Sequence, residues 1–373
     1  MNLHVFTDAQ GFFTNKTVDV YDSIDPNHNV YLNLSINCQN KKENITYGSI
    51  KQFLKTTSLC SLERVFMHGY SYTSSRSITL IRNKFLESKI KFFWIFWSNE
   101  YYQHPVFFSN LYKGFSRKFY FRKVLSFHLE HFKKFYNGEV SSPVYLGFKP
   151  FKRSFTEFSR MCSLMEDDYN FAMKGIDTVQ YSFISYVSLK DFPEIKPDFS
   201  INKSEIMVGH SGAPILNHFE VIKKLEQLKV QNPLYVPLAY GNPAYIKALK
   251  AKINSSIVSL SIDCQETFLG KEKYYNRINN IGYFILNSHC QQALGNIFFF
   301  LWVGTKVFLN KETSSYKTMK RKSFFIYNVD DHLNMDGLKP LTAQQKDHNR
   351  KLVFDYINDE RVNESWLKVL QSS

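Results

Sequence analysis

Apolar and polar positions along the chain fall into short hydrophobic blocks separated by amphipathic stretches, the rhythm of strands alternating with helices. "NLHVFTD" from Asn2, "NVYLNLSI" from Asn29 and "RVFMHGYS" from Arg64 read as strands, with a helical "SIKQFLKTT" before the last. "KIKFFWIFWSNEYY" is a nearly continuous apolar run with a polar end, the mark of a strand covered on both faces. Its last residues belong at the carboxyl edge of a sheet. "MCSLMEDDYNFAMKG" predicts a helix and "TVQYSFISYV" another strand.

A second half repeats the plan. "EIMVGHSGAPILNHFEVIKKLEQL" and "PLYVPLAYGNPAYIKALKAKI" each read as strand, turn, helix. "SIVSLSIDC", "NIGYFIL", "KVFLN" and "SFFIYN" are further strands; "KEKYYNRIN" and "ALGNIFFFLWVG" are helices. Between the halves, "SLKDFPEIKPDFSINKSE" is polar, carries Pro193 and Pro197, and reads as a linker. The pattern predicts two parallel α/β domains, residues 1–190 and 204–373, with a cleft between them. A length of 373 residues agrees with two cores. No repeat of solenoid period is visible.

Charge narrows the partners. A net charge of +14 calls for an acidic one, such as nucleic acid, anionic lipid or a phosphorylated substrate. Five scattered cysteines without a CxxC pair point to neither a disulfide framework nor a zinc site, and a reducing cytoplasm is expected. The first residues lack the charged and apolar regions of a leader peptide. The longest apolar runs, about eight residues, are far below the ~18 to 20 that span a bilayer.

From Tyr112 to Arg153 the chain is basic and aromatic, and part of it can form an amphipathic helix. Lys113, Arg117, Lys118, Arg122, Lys123, Lys133 and Lys134, interleaved with Phe and Tyr, suit an anionic bilayer surface at roughly 1 kcal/mol per cation. A solvated helical face has the same composition.

Two turns carry candidate chemistry. In "VGHSGAP" a strand ends at Val208, Gly209 and Gly212 allow a tight turn, and a helix begins near Ile215 to Asn217. In "NSHCQQALGN" a strand gives way to a helix behind Gln291 and Gln292. Helix starts expose unpaired N–H groups and the positive end of the helix dipole, which attract phosphate. An ordinary glycine turn, or a helix capped by Asn287 or Ser288, accounts for the same residues.

"VGHSG", "VPLAYGNPAYIKAL", "IGYFIL" followed by "QQALGN", and "VFLNKE" followed by "VDD" resemble the TDP-N-acetylfucosamine:lipid II N-acetylfucosaminyltransferase family (4-alpha-L-fucosyltransferases, glycosyltransferase family 56), which acts in enterobacterial common antigen assembly. The resemblance covers most of the chain, is most specific after Glu205 and is weak from Tyr112 to Lys190. It implies a GT-B glycosyltransferase, two Rossmann-like domains facing across a cleft, with no obligatory metal and no cofactor beyond the nucleotide-sugar co-substrate. By this resemblance Gly209, His210, Ser211 and Gly212 line the donor diphosphate, and Gln291, Gln292, Gly295 and Asn296 sit beside it. Tyr240 meets the nucleotide or sugar; Asn310 and Glu312 end a strand on the same rim.

The reaction implied is inverting transfer of a deoxy-amino sugar (4-acetamido-4,6-dideoxygalactose or similar) from a TDP donor to a polyprenyl-diphosphate-linked glycan, in bacterial surface polysaccharide synthesis. It places the protein peripherally on the cytoplasmic side of the inner membrane. Such transfer needs a base and a positive site for the leaving diphosphate. Glu100, where the family has an acidic residue, and His68 are the two candidate bases. "EDD" at Glu166 lies on an expected helix, and "VDD" at Asp330 matches a late segment of the family that has no metal role there. The chain departs from the family at Ile95, where relatives have histidine, and at Ser98, where they have glycine. A nucleotide-sugar epimerase of the same fold and a basic nucleic-acid-binding protein are the rival readings; the latter lacks the aromatic signature of RNA-binding sheets, and no nucleic-acid partner is expected.

Overall fold

The computed structural model describes all residues except 8–10, 58–60, 72–73, 86–88, 103, 138–147, 195–202 and 373. The chain divides into two compact units, and each is built on one parallel sheet.

The first unit contains strands β1 (Asn2–Phe6), β2 (Asn29–Asn33), β3 (Thr46–Tyr47), β4 (Arg64–His68), β5 (Lys91–Ile95), β6 (Arg160–Ser163) and β7 (Gln180–Phe183). They lie in the order β3-β2-β1-β4-β5-β6-β7, all parallel. Phe92, Phe93, Trp94 and Ile95 of β5 are each at most 1% exposed, because a strand between two parallel neighbours is covered on both faces. The same effect overturns the expected helix over "MCSLMEDDYNFAMKG". Met161 and Cys162 are fully buried in β6, and the helix runs only from Glu166 to Ala172. An apolar pair enclosed on both sides carries no alternation that would have betrayed the strand.

The second unit contains β8 (Glu205–Val208), β9 (Leu234–Pro237), β10 (Ile262–Gln265), β11 (Ile281–Leu286), β12 (Lys306–Leu309) and β13 (Tyr327–Asn328), parallel in the order β10-β9-β8-β11-β12-β13. Ile206, Val208, Tyr283 and Ile285 share one core with Val221, Ile222, Tyr245 and Leu249, from the helices His218–Gln227 and Pro243–Ser256. Phe284, the neighbour of Tyr283 and Ile285, turns the other way onto Phe300 of the helix Leu294–Trp302, at 4.5 Å between ring centroids. Helices therefore cover both faces. Truncating a buried ring such as Phe300 to alanine would cost about 3–5 kcal/mol.

The units depart from a simple cut between residues 190 and 204. Phe107–Lys123 groups with the second unit, because Phe115 and Phe119 pack on Phe219 and Tyr245. Val362–Ser373 groups with the first, because Trp366 meets Tyr21 edge-on at 5.1 Å and its indole N–H donates to the Ser185 carbonyl at 2.9 Å. The start of the expected linker is also packed: Ser188 and Asp191 form a capping box, and Phe192 contacts Tyr275 and Phe299. Pro197 lies outside the described residues.

Candidate functional site

In the second sheet the strand sequence runs outward in both directions from β8 and β11, so the chain reverses between these two neighbours. Open parallel sheets bind ligands beyond the carboxyl ends at such a switch point. The two turns singled out from the sequence follow these two strands.

After β8, Gly209 adopts φ +70, and any Cβ there would collide with Nε2 of His218. Glycine is needed for both reasons. Gly212 bridges to Gly241, with its N–H on the Tyr240 carbonyl at 2.6 Å and its own carbonyl accepting from the Asn242 N–H at 3.0 Å. The Gly209 N–H goes to the Ile285 carbonyl at 2.9 Å. These two glycines thus shape a ledge shared by the loops after β8 and β9, and their donors are spent within the protein. His210 is half-buried and Ser211 is buried. Burial lowers the His210 ring to about 4 and the fully buried His218 to about 3, so both are neutral at pH 7.

The helix itself begins at His218, after a 3-10 turn at Pro214–Leu216 and an Asn217 held at φ 50, directly after the expected range of Ile215 to Asn217. Asn217 is fully buried and its side chain is a junction. Its amide group lies within hydrogen-bonding reach of the carbonyls of Leu111 (3.0 Å), Ile215 (3.0 Å) and Asn287 (3.1 Å), while its Oδ1 accepts from the Lys113 N–H at 2.8 Å. The turn after β8, the turn after β11 and the segment 111–113 are tied together by this one residue. Asparagine suits the position because it tolerates the left-handed conformation and offers both donor and acceptor.

After β11 the helix Leu294–Trp302 starts behind Ala293 at φ 56, with no side-chain cap. Neither Asn287 nor Ser288 fills that role; the Ser288 hydroxyl accepts from the Cys290 N–H at 3.4 Å. Gln291 is buried rather than displayed, and Gln292 is half-buried. Gly295 has nothing within 4 Å of where a Cβ would stand, so space is open beside the first turn. Asn296 donates to the Tyr274 hydroxyl at 2.8 Å. Tyr240, on the neighbouring ledge, is 54% exposed.

After β12, Asn310 is a turn former: its Oδ1 accepts from the Glu312 N–H at 3.0 Å and its carbonyl from the Thr313 hydroxyl at 2.7 Å. Its Nδ2 lies 3.4 Å from His289 Nε2. Glu312 is exposed and pairs with Lys317 at 3.7 Å. Burial lowers the His289 ring, the positive charge of Lys113 lowers it further, and Asp330 and Glu312 oppose this. Lys113, read from sequence as a membrane-side cation, therefore stands by this rim. The His289 and Lys113 contributions were invisible in the sequence, where 176 positions separate them.

At the carboxyl edge of the first sheet, Glu100 follows β5. Its Oε1 accepts from the Trp97 N–H at 2.8 Å and from the Trp94 indole at 3.4 Å. Burial raises its carboxyl to about 7, against the lowering effect of those donors. The turn it closes holds Ser98 at φ 78, a conformation that suits the glycine of the resembled family. Ile95 is fully buried in the same core as Phe6 and Phe93. His68 is 1% exposed, stacked on Phe6 at 4.2 Å and bonded through Nε2 to Nδ1 of His4 at 3.2 Å. Burial and the neighbouring His4 hold its ring well below the ordinary value. It is thus enclosed among aromatic rings of the first unit, whereas Glu100 is only half-buried.

Of the basic belt, Arg117, Lys118, Arg122 and Lys133 are exposed; the side chains of Lys123 and Lys134 lie outside the described residues. Among the described residues no group of three or more His, Cys, Asp or Glu could hold a metal ion, and no helix is long and apolar enough to cross a membrane.

No protein-family profile and no curated protein matches the sequence. Similar solved structures include the lipopolysaccharide outer core galactosyltransferase WaaB (12% identity, TM-score 0.64, covering 100% of this chain and 99% of that one). The alpha,alpha-trehalose 6-phosphate synthase of Burkholderia multivorans is similar too (9%, TM-score 0.61, 99% and 95%). So is an alpha-glucosyltransferase in complex with UDP (12%, TM-score 0.56, 100% of both). With a parallel Rossmann-like sheet in each unit, the chain has the GT-B glycosyltransferase fold.

Proposed function

We propose that this protein is a glycosyltransferase that takes a deoxy-amino sugar, 4-acetamido-4,6-dideoxygalactose or a close relative, from a TDP donor to a polyprenyl-diphosphate-linked glycan on the cytoplasmic face of a bacterial inner membrane. The observation that carries the reading is the uncapped helix start at Leu294, open beside Gly295 and tied through Asn217 to the turn after β8. Unpaired N–H groups and the helix dipole there favour a diphosphate. The UDP bound in the similar glucosyltransferase supports the nucleotide diphosphate class; the motif resemblance supports TDP and the amino sugar.

In the reaction the acceptor hydroxyl oxygen bonds to the anomeric carbon as that carbon's bond to the donor diphosphate breaks, inverting the centre. The hydroxyl proton passes to Glu100, whose raised carboxyl suits a base near neutral pH. The leaving diphosphate keeps the electron pair and is stabilised by the helix start and by Lys113, without a divalent cation in this reading.

A thermal-shift panel tests the donor. TDP should raise the melting temperature more than UDP, GDP or CMP at equal concentration. A larger shift with UDP would overturn the TDP assignment, and no shift with any nucleotide would overturn the glycosyltransferase reading.

A further inference from the structure

The helix Tyr120–Tyr136 presents to solvent the side chains that its sequence would be expected to bury. Phe121 is 74% exposed, Leu125 61%, Leu129 56%, Phe132 57% and Tyr136 86%. At about 100° per residue these five positions fall within an arc of roughly 80°, a single stripe some 22 Å long. The helix is anchored by a different face, where His131 is buried and Val124 and Phe127 are half-buried. Exposed Arg122 and Lys133 border the stripe on the side away from that anchor. The helix has one acid, Glu130, and at the same spacing it falls outside the apolar arc, about 100° from Leu129.

We infer that this helix lies flat in the headgroup region of an anionic bilayer, with Phe121, Leu125, Leu129, Phe132 and Tyr136 inserted and Arg122 and Lys133 on the lipid phosphates. Charge complementarity decides for lipid. An apolar stripe edged by cations and free of acids matches an interface that is greasy below and negative above. The inference deepens the membrane-side reading above and shifts its weight from the lysines to the rings and leucines. It is independent of the sugar chemistry, since binding needs no nucleotide.

Co-sedimentation with vesicles tests it, using phosphatidylcholine alone and phosphatidylcholine mixed with phosphatidylglycerol. The native chain should bind the mixed vesicles at least tenfold more tightly than the neutral ones. Phe121→Ser/Leu125→Ser/Phe132→Ser should lose binding to both while keeping its circular-dichroism melt, because these side chains are already exposed. Arg122→Glu/Lys133→Glu should lose the preference for the anionic lipid. Native binding to neither vesicle, or unchanged binding by the triple variant, would overturn the proposal. So would a lipid-free dimer in sedimentation equilibrium that the triple variant converts to monomer, which would make the stripe a contact between copies. None of these outcomes bears on donor binding, which the nucleotide panel reads separately.

Discussion

The side-chain amide of Asn217 reaches the main-chain carbonyl of Asn287 at 3.1 Å, joining the turns that follow the two central strands of the second sheet. The same side chain accepts from the Lys113 N–H. Asn217→Ala would leave these buried groups unpaired and put alanine in the left-handed region, for a loss of about 2–4 kcal/mol. Asn217→Gly should recover about 1 kcal/mol of it, since glycine removes only the backbone strain. Urea melts of the three proteins check both figures.

Glu100→Gln should abolish turnover while leaving the nucleotide-induced thermal shift intact. Glutamine can still accept from the Trp97 N–H but takes no proton. With the native carboxyl near 7, kcat/KM should fall about tenfold per pH unit well below that value. The stability effect has the opposite sense. The folded carboxyl titrates above its ordinary 4.5, so its contribution is fully present below that pH and is lost as pH rises through about 7. Melts at pH 5 and pH 8 should show a difference in the native protein that shrinks in the glutamine variant.

Gly209→Ala meets both a positive φ and the His218 ring. It should cost more than 2 kcal/mol, whereas in a His218→Ala background, which has its own cost from the lost bond to Tyr245, the same change should cost chiefly the backbone term of about 1–2 kcal/mol. A double-mutant cycle on chemical unfolding should therefore show a favourable coupling. Strict additivity would mean the ring does not dictate the glycine.

Lys113→Ala should weaken nucleotide-diphosphate binding about tenfold or more, the usual loss for a charge-assisted bond to phosphate. Vesicle binding should be unchanged. Isothermal titration with the donor nucleotide and co-sedimentation on the same sample separate the two roles assigned to this lysine.

Parallel strands were legible in the sequence because sequence-local signals define them: a compact apolar block, then a glycine or polar turn, then an amphipathic helix. The turn after Val208 and the turn before Leu294 were found for that reason. What stayed hidden depends on distant partners. Asn217 looks like any residue before a helix, and its bond to the Lys113 N–H crosses 104 positions. His68 and Gln291 are polar letters in promising places, but His68 is enclosed against Phe6 and Trp97, and Gln291 is buried within the second unit. Strand β6 was lost because both of its faces are covered, and the affiliation of the final helix because its apolar stripe names no recipient.

That final helix sets the order in which the protein can be completed. Trp366 plugs a hole beside Tyr21, 345 positions earlier, so during synthesis the core around β1 waits, unsealed, until Trp366 has been made. A chain cut just before Trp366 would carry its defect not at the cut but around Tyr21.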